Sequence, residues 1–268
     1  MIHDNWLLPT PLARELYHDY AANQPIIDYH NHLIPEQMAA NHRFANLHAA
    51  WLAGDHYKWR AMRQLGVDEN LITGTADPRE KFRAFAESTP YTLRNPLYHW
   101  SHLELARYFG INDLLSGKNA DYVYDQASEQ LQDPERRTWG LLGGKNVRVI
   151  CTTDDPIDDL AHHAALAKTD CPVRMLPGWR PDKALLIDGT HWPAYIEKLA
   201  EVSGVSITSY DDLLVALTKR LDHFTAHDCT VSDHGLEYVP DVAYNRELAA
   251  EVCGQTLLAN TFSAPAFS

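Results

Sequence analysis

Apolar and polar positions along the 268 residues change rhythm twice. Leu12, Leu16 and Tyr20 recur at helical spacing, with Thr10 as N-cap and Pro11 at the first position, which predicts a helix over 10–22. Pro25 ends that helix, and Ile26, Ile27 and Asp28 open a short apolar strand. From about 36 to 140 the spacing is helical and rich in aromatic and charged residues, as in Tyr57-Lys58-Trp59-Arg60-Ala61-Met62-Arg63, with no convincing strand. Tyr98, Trp100, His102, Leu103, Leu105, Tyr108 and Phe109 read there as packed helix surface rather than as a stacking platform.

From Gly143 the rhythm becomes strand, loop, helix. Val147–Cys151 predicts a strand that leaves through Thr152-Thr153-Asp154-Asp155-Pro156, with Asp155 placed to cap a following helix and Pro156 at its first position. Val173–Leu176 is the next strand and leaves through Pro177-Gly178-Trp179-Arg180-Pro181. Helices follow near 193–202 and 209–226, a strand at Cys229-Thr230-Val231 runs into Ser232-Asp233-His234-Gly235, and a last helix spans about 241–258. Residues 261–268 resemble no expected element.

Strands alternating with helices define an α/β class with a parallel sheet, in which functional groups gather at the strands' C-terminal ends. His30 and His32, Asp154 and Asp155, Arg180, and Asp233 and His234 all fall at such ends. That coincidence favours a (β/α)8-type barrel, of which only four βα units can be counted, with a large helical insertion after the first strand. The chain divides accordingly into 1–35 (helix and first strand), 36–140 (insertion) and 141–268 (the remaining units and a tail). No Gly-x-Gly-x-x-Gly follows a strand, which argues against a dinucleotide or P-loop site.

Composition narrows the functions. A formal charge of −13 and no basic tract argue against a nucleic-acid surface. No run of 18 apolar residues predicts a membrane span, and the N-terminus lacks the basic and apolar regions of a signal peptide. Cys151, Cys171, Cys229 and Cys253 are widely spaced and form no Cys-x-x-Cys, so reduced thiols and a cytoplasmic location are expected.

The chemistry begins at Asp28-Tyr29-His30-Asn31-His32. Positions i and i+2 of a strand face one side, so both imidazoles can converge on a zinc-like divalent ion. With 15 His in the chain the spacing alone is weak, and a structurally satisfied pair is the alternative.

Five segments in order, Ile26–Leu33, Asp55-His56-Tyr57-Lys58-Trp59-Arg60, Cys151–Pro156, Pro177–Asp182 and Val231–Gly235, give the chain a strong resemblance to the N-terminal half of the uronate (glucuronate) isomerases, a divergent branch of the amidohydrolase superfamily. The resemblance extends to about residue 258. It implies interconversion of D-glucuronate with D-fructuronate and of D-galacturonate with D-tagaturonate. It further implies metal binding by His30 and His32, catalytic roles for His56 and Tyr57, and contact of Arg180 with the sugar acid. The family's third metal ligand, an aspartate from its last barrel strand, matches nothing here. The chain alone is therefore expected to bind metal weakly, to lack turnover, and to self-associate or pair with a complementary C-terminal fragment.

Each assignment has a plainer competitor. Tyr57 can shuttle a proton and His56 can donate to a substrate hydroxyl, or the pair can be a helix start packed on Trp59. Arg180 can grip a carboxylate, or can pair with Asp182 or Asp155 on the surface. Asp233 and His234 can meet substrate, or His234 can satisfy a loop carbonyl. Asp154 and Asp155 read first as capping residues, and His162 and His163 as solvated. A metal-dependent hydrolase of the same superfamily and a non-catalytic remnant are the competing functions.

Overall fold

The computed structural model describes residues 3–236, 241 and 243–261, so the tail over 262–268 lies outside the described residues. The chain forms two compact units, one of Met1–Ile26 and Ala40–Val147, the other of Ile27–Ala39 and Arg148–Ser268.

The first unit is helical. Its core is packed by Phe82, Phe85, Leu105, Leu115, Val123 and Leu131, drawn mainly from the helices Pro78–Ser88, Pro96–Phe109 and Ala120–Gln130. Local chemistry sets their ends. The side chain of Asp77 accepts from Arg79 N at 2.8 Å and that of Asn95 from Leu97 N at 3.0 Å, each just before a proline that is preorganised for the first turn. Gly110, at φ 68°, closes the middle helix in the left-handed conformation that glycine adopts without strain. His102 is buried, its Nδ1–H donating to Tyr98 O at 2.5 Å while Nε2 accepts from Leu115 N at 2.8 Å. Both nitrogens are thus used, as burial of a polar ring requires.

Two expectations change here. Pro11–Glu15 is α-helical behind its Thr10 cap, but Leu16–Ala21 widens into a π-helix, and Leu12, Leu16 and Tyr20 are all exposed. Trp100 is also exposed, whereas Leu105 and Phe109 on the same helix are buried, so the aromatic run is only partly packed.

The second unit carries the strands. β1 (Ile26–Asp28), β2 (Val147–Cys151) and β3 (Arg174–Leu176) form a three-stranded sheet in that order, with β2 and β3 parallel and Ile150 opposite Met175. β4 (Gly178–Trp179) and β5 (Val231–Ser232) pair in parallel, Gly178 opposite Val231. Five short segments therefore replace the four expected, because Pro177 lies between β3 and β4 and proline has no N–H for a ladder. Ile26 and Ile27 are exposed on the edge strand rather than buried behind the histidines.

Helices Trp192–Ser203 and Tyr210–Thr225 occupy the expected positions, and Trp192, Tyr195, Leu199, Leu213 and Ala216 pack with Cys253 of the helix Arg246–Thr261. No helix begins at Pro156. The buried Arg220 donates to the carbonyls of Pro156 and Asp158, each at 2.6 Å, and so claims acceptors that a first helical turn would use. The helix starts instead at Ala161, and Asp155 stabilises the turn, accepting from Ile157 N at 3.2 Å and from the Tyr195 hydroxyl at 2.9 Å. The four cysteines are free.

Candidate active site

β1 ends at Asp28, so His30 and His32 sit on the loop beyond it rather than on the strand. The loop is nonetheless held firmly. Asp28 accepts from His30 N at 3.3 Å, Asn31 N donates to Cys151 O at 3.0 Å, and Thr153 Oγ1 donates to Asn31 O at 2.9 Å. The two rings meet edge to face, their centroids 5.0 Å apart at 88°. Two imidazoles on one tetrahedral zinc, each bonded at about 2.0–2.1 Å, would have centroids roughly 5 Å apart, a spacing this pair matches. Among the described residues no group of three His, Cys, Asp or Glu side chains gathers to hold an ion.

A carboxylate is brought to the His30 ring by β5. Asp233 N donates to Trp179 O at 3.0 Å, continuing the β4–β5 pairing, and places Asp233 Oδ2 3.7 Å from His30 Nδ1. That oxygen is also 3.1 Å from Arg180 Nε. A cavity of about 330 Å³ lies here, lined by Tyr29, His30, Thr152, Gly178, Val231, Ser232 and Asp233.

Arg180 follows β4 and is gripped from two sides, with Asp182 Oδ2 at 3.2 Å and Asp233 Oδ2 at 3.1 Å from its Nε. Neither contact has the alignment of a hydrogen bond, and both Arg180 Nε and Asp233 Oδ2 are buried without one. Asp182 is the hub that sequence reasoning treated only as a surface partner. It accepts from His234 Nδ1–H at 2.7 Å and from Gly235 N at 2.6 Å. Burial works to raise its carboxyl, but Gly235, His234 and Arg180 outweigh that and hold it below the ordinary aspartate range. His234 therefore satisfies a carboxylate rather than a loop carbonyl. A Cβ on Gly235 would lie 2.6 Å from Arg180 Nη2, so this glycine leaves room for the guanidinium.

His56 and Tyr57 belong to the helical unit. Asp55 caps the helix His56–Gln64, accepting from Tyr57 N at 3.0 Å and Lys58 N at 3.1 Å, and it pairs with the buried Lys58 ammonium at 2.6 Å. Trp59 turns away and donates to Leu52 O at 2.6 Å, whereas the Tyr57 ring meets His56, centroids 4.3 Å apart, and the Arg60 guanidinium. Tyr57 is 52% exposed.

One pair of expectations is overturned. Asp154 caps no helix and His163 is not solvated; both are buried, and His163 Nε2 lies 2.8 Å from Thr152 Oγ1. The only signal for this in the sequence was the apolar flank of His163, Ala164-Ala165-Leu166.

Parallel strands alternating with helices, with imidazole, guanidinium and carboxylate groups collected on the loops after them, define an α/β protein whose polar groups gather at its strand ends. The chain belongs to the glucuronate isomerase family, whose profile matches residues 1–264. It is similar to the uronate isomerases of Pectobacterium atrosepticum (49% identity over 263 residues, 96% of this chain and 56% of that protein) and Cellvibrio japonicus (52% over 241 residues, 89% and 51%). Among solved structures it is similar to uronate isomerase from Thermotoga maritima, with a TM-score of 0.89 at 34% identity, covering 100% of this chain and 58% of that one. Glucuronate isomerase from Caulobacter crescentus gives 0.87 at 26% identity, covering 97% and 57%. The chain thus spans about half the length of the curated relatives it matches.

Proposed function

We propose that this chain carries the uronate-recognition part of an aldose–ketose isomerase acting on D-glucuronate/D-fructuronate and D-galacturonate/D-tagaturonate. The supporting observation is the Arg180–Asp182–His234 cluster in a chain of the glucuronate isomerase family. Arg180 offers its outer guanidinium nitrogens to the sugar carboxylate while its inner nitrogen stays against Asp182 and Asp233. His234, oriented through Nδ1, presents its Nε2 to a substrate hydroxyl, and Asp233 bounds the cavity beside it. On this reading the strands are the first four βα units of a (β/α)8-type barrel.

Isomerisation moves a proton between C2 and C1 through an enediol. Tyr57 is assigned that transfer, and His56 is assigned a hydrogen bond to a substrate hydroxyl. His30 and His32 would hold a divalent metal, zinc by their donor type. When bound, such an ion polarises a substrate oxygen. The test is ketose formation from each uronate, with and without added Zn²⁺ or Mn²⁺, by a protein containing this chain. Turnover that depends on Arg180 supports the proposal; a protein inert on both uronates but active on an amide or ester overturns it.

A further inference from the structure

We propose that Asp154 is a positioning residue for Arg180, acting through the backbone of β4 and itself held by Thr152 and His163. The inference rests on the reading of Arg180 as the partner of the uronate carboxylate.

The need for such a residue comes from Pro177. The β2–β3 pairing ends with Thr152 N donating to Leu176 O at 3.0 Å, and the next residue, Pro177, has no N–H to continue it. Beyond the proline one edge of the segment pairs with β5, and the bonds on its other edge converge on a single residue. Asp154 N donates to Gly178 O at 2.9 Å, and Arg180 N donates to Asp154 O at 3.0 Å. The Asp154 side chain adds the third link, its Oδ2 accepting from Gly178 N at 3.1 Å. One residue therefore binds both ends of the three-residue segment that sets where Arg180 departs. Gly178 must be small here, because a Cβ would lie 2.4 Å from Thr152 O.

The carboxylate is aimed by two further buried groups. Thr152 Oγ1 donates to Asp154 Oδ2 at 2.7 Å, which uses its only proton. His163 Nε2, 2.8 Å from the same hydroxyl oxygen, must then be the N–H donor. Thr152, Asp154 and His163 are 3%, 4% and 4% exposed, so water cannot substitute for a lost partner. Burial lowers the His163 pKa to about 4, which keeps the ring neutral near pH 7, with its proton on Nε2.

The test combines residue-resolved amide hydrogen exchange with D-glucuronate binding by calorimetry. In Asp154→Ala the Gly178 and Arg180 amides should exchange on the order of tenfold faster while those of Val149 and Ile150 keep their rate, and glucuronate affinity should fall about tenfold. Asp154→Asn, which retains an acceptor oxygen, should recover most of both. If Asp154→Ala does not fold, the near-isosteric Thr152→Val replaces it, with the same expected direction. Unchanged exchange at Gly178 and Arg180 in the folded variant overturns the proposal. Arg180→Met separates it from the reading beneath it: glucuronate affinity unmoved by that change refutes the role of Arg180, while the exchange rates still decide whether Asp154 fixes its backbone.

Discussion

His234 is tied to Asp182 by a 2.7 Å hydrogen bond from its Nδ1–H, joining the loop after β5 to the start of the helix that follows Arg180. The same carboxylate takes the Gly235 amide and lies against the Arg180 guanidinium, so one aspartate orients a cation, an imidazole and a loop.

Asp182→Ala should therefore weaken uronate recognition more than it disturbs folding. KM for D-glucuronate is expected to rise about tenfold, the loss of one charge-assisted bond, and Asp182→Asn should restore part of it. Steady-state kinetics of a longer protein that contains this chain, with both uronates, measures this; a fall in kcat at constant KM would contradict the assigned role.

In a longer protein that carries this chain together with the remaining strands, Arg180→Met should lower kcat/KM on both uronates by on the order of 10²-fold, because a bidentate cation–carboxylate contact is lost. Arg180→Lys should recover only a fraction, since a point charge cannot reproduce the planar fork. Full recovery by lysine would show that charge alone is read.

Tyr57→Phe separates chemistry from packing. Half-exposed and with its ring against His56, the side chain contributes little to stability, so the unfolding free energy should change by less than about 0.5 kcal/mol. Turnover should fall by on the order of 10²-fold or more if the phenol moves the proton. Near-normal turnover would return Tyr57 to a purely local role.

Zinc should be retained substoichiometrically by the 268-residue chain, since two imidazoles are a partial set and no three-donor group occurs among the described residues. Elemental analysis after gel filtration should show less still in the His30→Ala, His32→Ala double variant. Equal zinc in both proteins would place the ion elsewhere.

Stability should decline as the pH falls from about 6.5 toward 4. Burial depresses the His163 pKa from 6.5 to about 4, so between those values the folded state binds fewer protons than the unfolded chain. Its contribution is then intact above the unfolded pKa and lost as pH drops through the window, by up to roughly 1.4 kcal/mol per pH unit. Asp154, whose pKa burial raises, works in the opposite sense, so urea unfolding of His163→Gln isolates the histidine term. Identical pH slopes in wild type and variant would refute it.

The α/β class and the helices Trp192–Ser203 and Tyr210–Thr225 were legible in the sequence. Caps such as Asp77, Asn95 and Ser209, and apolar periodicity, act over a few residues, so they leave a local record. The segment Pro177–Asp182 likewise announced a cation at a strand end. Tertiary structure alone decided which partners those groups take. Beyond its apolar flank nothing local separates His163, buried against Thr152, from the exposed His162; nor does the local sequence show that Arg220, 64 residues away, claims Pro156 O and delays a helix. The apolar look of Ile26, Ile27, Leu12 and Leu16 did not predict their exposure, because burial depends on what packs against a face and not on the face itself. Asp182 differed from its neighbours only once β5 brought His234 and Gly235, more than 50 residues distant in the chain, within hydrogen-bonding reach.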